Sequence, residues 1–249
     1  MKKKLEIMRV GGQKLSQILN ELAAMAKPGV NLLKIERKAW LLIEKSGGYP
    51  SFAKVPGYNF ATCLNVNDGL VHGIPQDYIL KEGDLLNIDI GLFYKGYHTD
   101  CAKSFIITNG QEKDYAALEK FLSAGQEALY ETIKLAKVGN YVGQLSAKIQ
   151  KIIEGAGYRP AKHYSGHGVG NQLHEAPLIP CILNTPLEKT PILSYNMTLA
   201  IEVIYMMGQG EVRVMPDGWS VKTIDGSLAA CFEKTVAVTQ DKPIIITDW

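Results

Sequence analysis

The strongest constraint on this chain is that it repeats itself. Residues 26–50 read AKPGVNLLKIERKAWLLIEKSGGYP and residues 136–160 read AKVGNYVGQLSAKIQKIIEGAGYRP. Each begins Ala-Lys, passes Gly29 or Gly139, and runs into an apolar-periodic helix that ends in Ile-Glu, a glycine stop and a proline. Glycine just past the last periodic residue ends a helix, and the proline beyond it blocks continuation. The stretches downstream of the two helices are alike too. DLLNIDIGLF, a turn at YKGY and HTDCAKSFIIT come after the first helix; MTLAIEVIYMM, a longer excursion and LAACFEKTVAVT come after the second. These β-branched, alternating runs predict strands. A further helix over 113–136 opens the second half, and EIMRVGGQKLSQILNELAAMA is its N-terminal counterpart. Duplication at this spacing predicts one α+β domain over 1–249, built from pseudo-repeats of about 5–110 and 111–249, with a site where their sheets meet.

Composition removes several classes of function. Hydrophobic residues make up 46% of the 249 and charged residues 21%, as in ordinary globular proteins. A net charge of +2 gives no nucleic-acid footprint. No apolar run is long enough to span a bilayer. Lys2, Lys3 and Lys4 are followed at once by Glu6 and Arg9, which is not the pattern of a secretion signal. Cys63, Cys101, Cys181 and Cys231 lie far apart and form no C-x-x-C, so they read as reduced thiols of a cytoplasmic protein.

Within this frame the acids are out of place. Asp89 interrupts an apolar strand, and Asp100 lies on the strand that returns from it. A Tyr94-Lys95 loop would set Asp89 opposite Asp100. A Lys95-Gly96 loop would set Asp89 opposite Ala102, with Asp100 on the diagonal. Side chains alternate with period two, so either register puts both carboxylates on one face, where they repel. Glu202 and Glu233 repeat the oddity in the second half. A carboxylate in a buried strand carries a desolvation cost unless it is paired or bound to a cation. Lys234 alternates to the face opposite Glu233 and is no partner for it. Four such acids predict a four-carboxylate cage for divalent cations such as Mn²⁺, and imidazole would extend the list to Fe²⁺, Co²⁺ and Zn²⁺.

Three of the five histidines fall in HYSGHGVGNQLHEAP, residues 163–177. The glycines there lack the Lys of a phosphate loop, and Pro177 and Pro180 stand where a dinucleotide fold would need a helix. The glycines around His167 are read instead as letting backbone and substrate approach closely. His167 and His174 become separate contributors, and His163 is read as structural. His72, framed by Gly69, Gly73 and Pro75, sits in a tight segment; His98 shares a strand face with Asp100.

The ordered set Asp89, Asp100, His167, Glu202 and Glu233, with GHGVG and a histidine seven residues beyond its own, resembles the metal ligands of the methionine aminopeptidase family and its pita-bread fold. VHGIP and DGWSVKT resemble the type I, bacterial-like members, and the resemblance runs from about residue 6 to the C-terminus. It implies two pseudo-symmetric halves with a curved antiparallel sheet covered by helices. It implies two divalent ions (Co, Mn, Fe, Zn or Ni), with Asp89 on one, Asp100 and Glu233 bridging, and His167 and Glu202 completing the other. A metal-bridging water or hydroxide would attack the first peptide bond. Glu202 would act as general base, and His72 and His174 would hold the scissile amide. Tyr58, Cys63, Leu173 and Trp219 would line the side-chain pocket. Phe52, Val55 and Leu173 depart from the family's usual pocket residues, and Val203 and Lys234 from its usual Pro and His. The implied substrate is the N-terminal Met of nascent polypeptides. The implied setting is a cytoplasmic monomer with a transient ribosome contact, for which Lys2 to Lys4 are the residues to test, and with no nucleic-acid or membrane partner. A pita-bread aminopeptidase of other specificity, such as Xaa-Pro, and a non-catalytic pita-bread binding protein are the competing readings.

Overall fold

The computed structural model describes residues 2–110 and 114–249. Helices α1 (Lys2–Met25) and α2 (Leu32–Lys45) precede strands β1 (Tyr49–Pro50), β2 (Thr62–Val66), β3 (Gly69–Val71), β4 (Leu85–Tyr94) and β5 (Tyr97–Ile106). Helices α3 (Ala116–Ile133) and α4 (Val142–Gly155) then precede β6 (Arg159–Pro160), β7 (Ser165–Gly168), β8 (Glu175–Pro180), β9 (Thr198–Met206), β10 (Val212–Val214), β11 (Val221–Thr223), β12 (Ala229–Ala237) and β13 (Ile244–Ile245). Two helices, a short strand and a long hairpin thus recur. The repeated helices are delimited as their sequences suggest. The Asn31 side chain accepts the Leu33 N–H at the start of α2 (2.9 Å), and Gln144 accepts the Tyr141 N–H at the start of α4 (2.7 Å). Gly47 and Gly157 come just after the two ends with positive φ. The helix expected over 113–136 is α3; residue 113 lies outside the described residues, and after Ile133 the chain leaves the helix through tight turns closed by Leu135 N–H to Thr132 O and Ala136 N–H to Ile133 O.

The two halves share one ten-stranded sheet, so they meet at a seam inside it rather than as separate sheets. The order is β1-β4-β5-β12-β9-β7-β8, with β2 also on β4, β6 on β9 and β13 on β12. The duplication is visible in the pairing: Tyr49-Pro50 lies against Phe93-Leu92 as Arg159-Pro160 lies against Met206-Tyr205. Antiparallel hairpins bury one residue in two, and here both faces are covered. Ile88, Ile90, Leu92 and Cys101 pack with Leu15, Leu19, Ile35 and Ile43 of α1 and α2. Ile201, Val203 and Phe232 pack with Phe121, Leu129, Leu145 and Ile149 of α3 and α4. The other face carries the acids. All four cysteines are buried free thiols, and among the described residues no helix is long and apolar enough to cross a membrane.

Candidate metal centre

The β4–β5 hairpin turns at Lys95-Gly96, both with positive φ (47° and 93°), and Tyr94 faces Tyr97. Two left-handed residues match the twist of a two-residue hairpin, and this selects the second of the two registers. Asp89 is opposite Ala102, and Asp100 is opposite Gly91. The ladder then carries a single rung across five strands: Cys63, Asp89, Ala102, Glu233 and Glu202 are successive partners on β2, β4, β5, β12 and β9. Ala102 is the small residue of that rung. Asp100 lies two residues from it on β5 and so on the same face. On β7, His167 is opposite Ala200, two residues from Glu202. Sheet register alone therefore gathers five polar side chains from five strands.

One ligand atom each from Asp100, His167 and Glu233 lie within 4.8 Å of one another. Asp89 and Glu202 line the same cleft, with Glu202 Oε1 3.5 Å from His167 Nε2. His167 is buried and its Nδ1 is 2.8 Å from the Gly168 carbonyl. A carbonyl can only accept, so Nδ1 carries the proton and Nε2 presents its lone pair to the cleft. Burial pushes the imidazole down to about 4, so it is neutral at neutral pH.

The carboxylates are in the opposite condition. Burial raises Asp89 to about 7. Burial first, then repulsion from the neighbouring acids, holds Asp100, Glu202 and Glu233 well above the usual carboxylate range. Asp89 Oδ1, Asp100 Oδ1 and Glu233 Oε1 are buried without a hydrogen-bond partner. Buried acceptors left without donors are costly. A divalent cation would satisfy the orphaned oxygens and cancel the repulsion, and a set of carboxylate oxygens with one imidazole suits first-row divalent metals. The donor set fits a metal on the evidence of its own unsatisfied atoms.

Beyond Asp89 along the rung the cleft turns apolar. Cys63, Tyr58, Phe52 and Leu173 form a buried cluster flanked by Trp219 and Val55. The Tyr58 hydroxyl lies 2.8 Å from the Thr62 carbonyl and 3.2 Å from Cys63 Sγ. Tyr58 and Trp219 meet edge to face, with ring centroids 5.1 Å apart. His72 and His174 stand on the exposed rim of the same cleft. His72 has a positive φ of 57°, and the His174 ring lies 4.5 Å from that of His167. Every residue expected at the site lines this one cleft. His98 does not: it is buried with Nδ1 2.9 Å from the Ser51 hydroxyl. His163 is exposed.

The glycines of 163–177 require a correction. Gly166 and Gly168 lie in β7. A Cβ on Gly166 would meet Ala200 O at 2.5 Å, and one on Gly168 would meet Ala176 O at 2.4 Å. They clear the protein's own neighbouring strands, β9 and β8, and not a bound peptide. Sequence reasoning also passes over Glu36, a buried acid on α2 that accepts the Ala61 N–H, the Thr62 N–H and the Thr62 hydroxyl at 2.7, 3.1 and 2.6 Å and so fixes the entry to β2 before Cys63. Its only sequence signal is a charge on the apolar stripe of a helix. Tyr164, edge-on to His72 at 5.7 Å, carries no sequence signal at all.

Residues 6–240 match the metallopeptidase family M24. The methionine aminopeptidase of Aquifex aeolicus is 38% identical over 253 residues, covering 99% of this chain and 96% of that one. Methionine aminopeptidase 1 of Bacillus subtilis is 37% identical over 245 residues, covering 98% and 96%. Among solved structures, the methionine aminopeptidase of Thermotoga maritima superposes with a TM-score of 0.94 at 34% identity, covering 100% of this chain and 98% of that one. A prolidase from Pyrococcus furiosus shares the fold with a TM-score of 0.79 at 22% identity, but the chain spans only 65% of it. On sequence, fold and the chemistry of its cleft, the chain belongs to metallopeptidase family M24, with the α+β pita-bread architecture of its aminopeptidases.

Proposed function

We propose that the chain is a methionine aminopeptidase that removes the N-terminal Met from newly made proteins and peptides. One observation carries the reading: an apolar pocket and a cluster of unsatisfied acids occupy neighbouring positions of a single sheet rung, joined at Cys63 and Asp89. A terminal residue whose side chain fills the pocket has its first peptide bond over the acids. Asp89, Asp100, His167, Glu202 and Glu233 would hold two divalent ions, of the Co, Mn, Fe, Zn or Ni group. Bound there, they supply Lewis-acid polarisation and lower the pKa of a coordinated water.

The chain's own residues do the rest. Glu202, beside His167 and already raised by burial, takes a proton from the attacking water and passes it on. His72 and His174 on the rim hydrogen-bond the scissile amide and the oxygen that gains charge. Tyr58, Cys63, Leu173 and Trp219 receive the methionine side chain, whose flexible thioether packs well against aromatic edges. The four buried reduced thiols support a cytoplasmic setting. We take the whole chain, 1–249, as one catalytic unit acting as a monomer on nascent polypeptides, with Lys2 to Lys4 as the candidate ribosome contact. The test is release of the first residue from Met-Ala-Ser, Leu-Ala-Ser and Xaa-Pro peptides by chelated protein before and after metal is restored. The expected result is metal-dependent release of Met alone. Cleavage of Xaa-Pro peptides with Met-Ala-Ser left intact would overturn the specificity, and no metal-dependent cleavage of any peptide would favour a binding protein of this fold.

A further inference from the structure

The seam between the two halves is a much shorter ladder than the long pairings on either side of it. The ladder of β4 and β5 runs from Leu85↔Ile106 to Tyr94↔Tyr97, and that of β9 and β12 from Thr198↔Ala237 to Met206↔Ala229. Between β5 and β12 it consists of Glu233↔Ala102 and Lys234↔Cys101. Both Asp100 and Glu233 sit at this seam. Beyond the ladder the strands are joined by side chains: the Thr235 hydroxyl donates to Asp100 O (2.8 Å) and lies 2.9 Å from the Asp100 N–H.

The segment after β13 reinforces this junction from the helix side of the sheet. Ile246 N–H bonds Thr235 O at 2.8 Å. The Thr247 hydroxyl accepts the Thr235 N–H at 2.8 Å and donates to Asp100 O at 3.3 Å. Trp249 Nε1–H donates to the Glu233 carbonyl at 2.9 Å. Gly12 makes room for the segment against α1, since a Cβ there would meet Ile246 O at 2.3 Å. The segment therefore holds the peptide groups of two acids of the cage, Asp100 and Glu233.

Lys234 secures its end. The side chain is 0% exposed, and Nζ donates to Asp248 Oδ1 (2.9 Å), Thr247 O (3.3 Å) and Trp249 O (3.3 Å), 4.1 Å from the Trp249 ring centre. As a source of stability this is a poor arrangement. An ammonium is desolvated, the Asp248 carboxylate that pairs with it is 72% exposed, and an apolar residue would pack without the penalty. What the arrangement does achieve is to fix the Trp249 indole where its N–H meets the Glu233 carbonyl.

We infer that residues 246–249, locked by Lys234, are a positioning clasp that sets Asp100 and Glu233 for metal binding. Trp249, Thr247 and Lys234 are positioning residues, remote from the substrate. The inference rests on the proposed metal-ligand roles of Asp100 and Glu233. Its test is calorimetric titration of the metal-stripped full chain with Mn²⁺, beside the unfolding midpoint of each stripped variant. Trp249→Phe keeps an aromatic ring beside Lys234 and removes the N–H together with part of the indole's packing. It is expected to weaken Mn²⁺ binding about ten-fold, the scale of an outer hydrogen bond to a metal ligand, with a modest fall in the midpoint of the stripped protein. Thr247→Ser should bind Mn²⁺ like the parent and Thr247→Val should not, a contrast that holds even if Trp249→Phe folds poorly. Parent-like Mn²⁺ affinity in both Trp249→Phe and Thr247→Val would overturn the clasp. Glu233→Gln separates the two failures: if it too binds Mn²⁺ as the parent does, the ligand assignment is wrong, whereas loss in Glu233→Gln alone refutes the clasp and keeps the metal centre.

Discussion

Gly168→Ala should be far more damaging than its single methyl group suggests. The new Cβ would lie 2.4 Å from Ala176 O, 2.9 Å from the Ala176 carbonyl carbon and 3.0 Å from Glu175 O. All three are backbone atoms, so no side chain can swing away; β7 and β8 must separate. Overpacking of this kind costs about 1–3 kcal/mol. For a chain of this size each kcal/mol moves the midpoint by about 2–4 °C, so thermal unfolding should fall by roughly 2–12 °C. The shift acts where catalysis is sensitive. The Gly168 carbonyl orients the His167 ring, and Glu175, opposite Gly168, is the residue directly after His174. A displacement near 1 Å costs about 100-fold in rate. Gly155→Ala is the internal control. That glycine ends α4, is exposed, and a Cβ there meets nothing within 4 Å, so the change should raise stability by about 0.4–1 kcal/mol through the unfolded state. The assay is differential scanning calorimetry with steady-state kinetics on Met-Ala-Ser. A Gly168→Ala protein with unchanged midpoint and kcat but a raised KM would refute the reasoning, because it would mean that the glycine clears substrate.

The same geometry has other measurable consequences. Folding raises the pKa of Asp89 to about 7 and those of Asp100, Glu202 and Glu233 well above normal, so the folded metal-free chain binds more protons than the unfolded chain. Its stability from these groups is present near pH 4 and is lost as pH rises through about 7. Melting curves from pH 5 to 8 should show the gap between Mn²⁺-loaded and stripped protein widening with pH; a constant or narrowing gap would contradict the cage. Asp100→Ala should abolish both Mn²⁺ binding by calorimetry and turnover. His174→Ala should bind Mn²⁺ as the parent does and lose about 100-fold or more in kcat, and full kcat in that variant would remove its assigned role. Leu173→Ala strips apolar contact from the pocket and should lower kcat/KM for Met-Ala-Ser about ten-fold; an unchanged value would place the methionine side chain elsewhere.

Much of this molecule is legible in its sequence because the information is local and periodic. The duplicated helix-stop-strand pattern carries the element order, and period-two alternation puts Asp89 and Asp100 on one face in either hairpin register. The hairpin register is a different matter. Tyr94-Lys95 and Lys95-Gly96 are both acceptable turns on paper, and the choice is made by the left-handed backbone at Lys95 and Gly96 and the twist of the paired strands. The rung that joins Cys63 to Asp89 and Glu233 to Glu202 is invisible for the same reason: it is set by pairing between distant strands. Glycines at 166 and 168 are conspicuous yet misleading, because the backbones they clear belong to residues 176 and 200. Glu36, Thr247 and Trp249 act through contacts with residues far away in the chain, and a single sequence carries no mark of such partners. Alternation shows only that Lys234 points the wrong way to neutralise Glu233; where it points is the part the structure adds.

Five side chains from the two halves enclosing divalent metal at the sheet seam is the central claim. Anomalous diffraction from crystals soaked in Mn²⁺ tests it most directly. Two anomalous peaks are expected in the cleft among Asp89, Asp100, His167, Glu202 and Glu233, both lost in the Asp100→Ala protein. An empty cleft with Mn²⁺ at saturation, or peaks confined to surface acids, would contradict it.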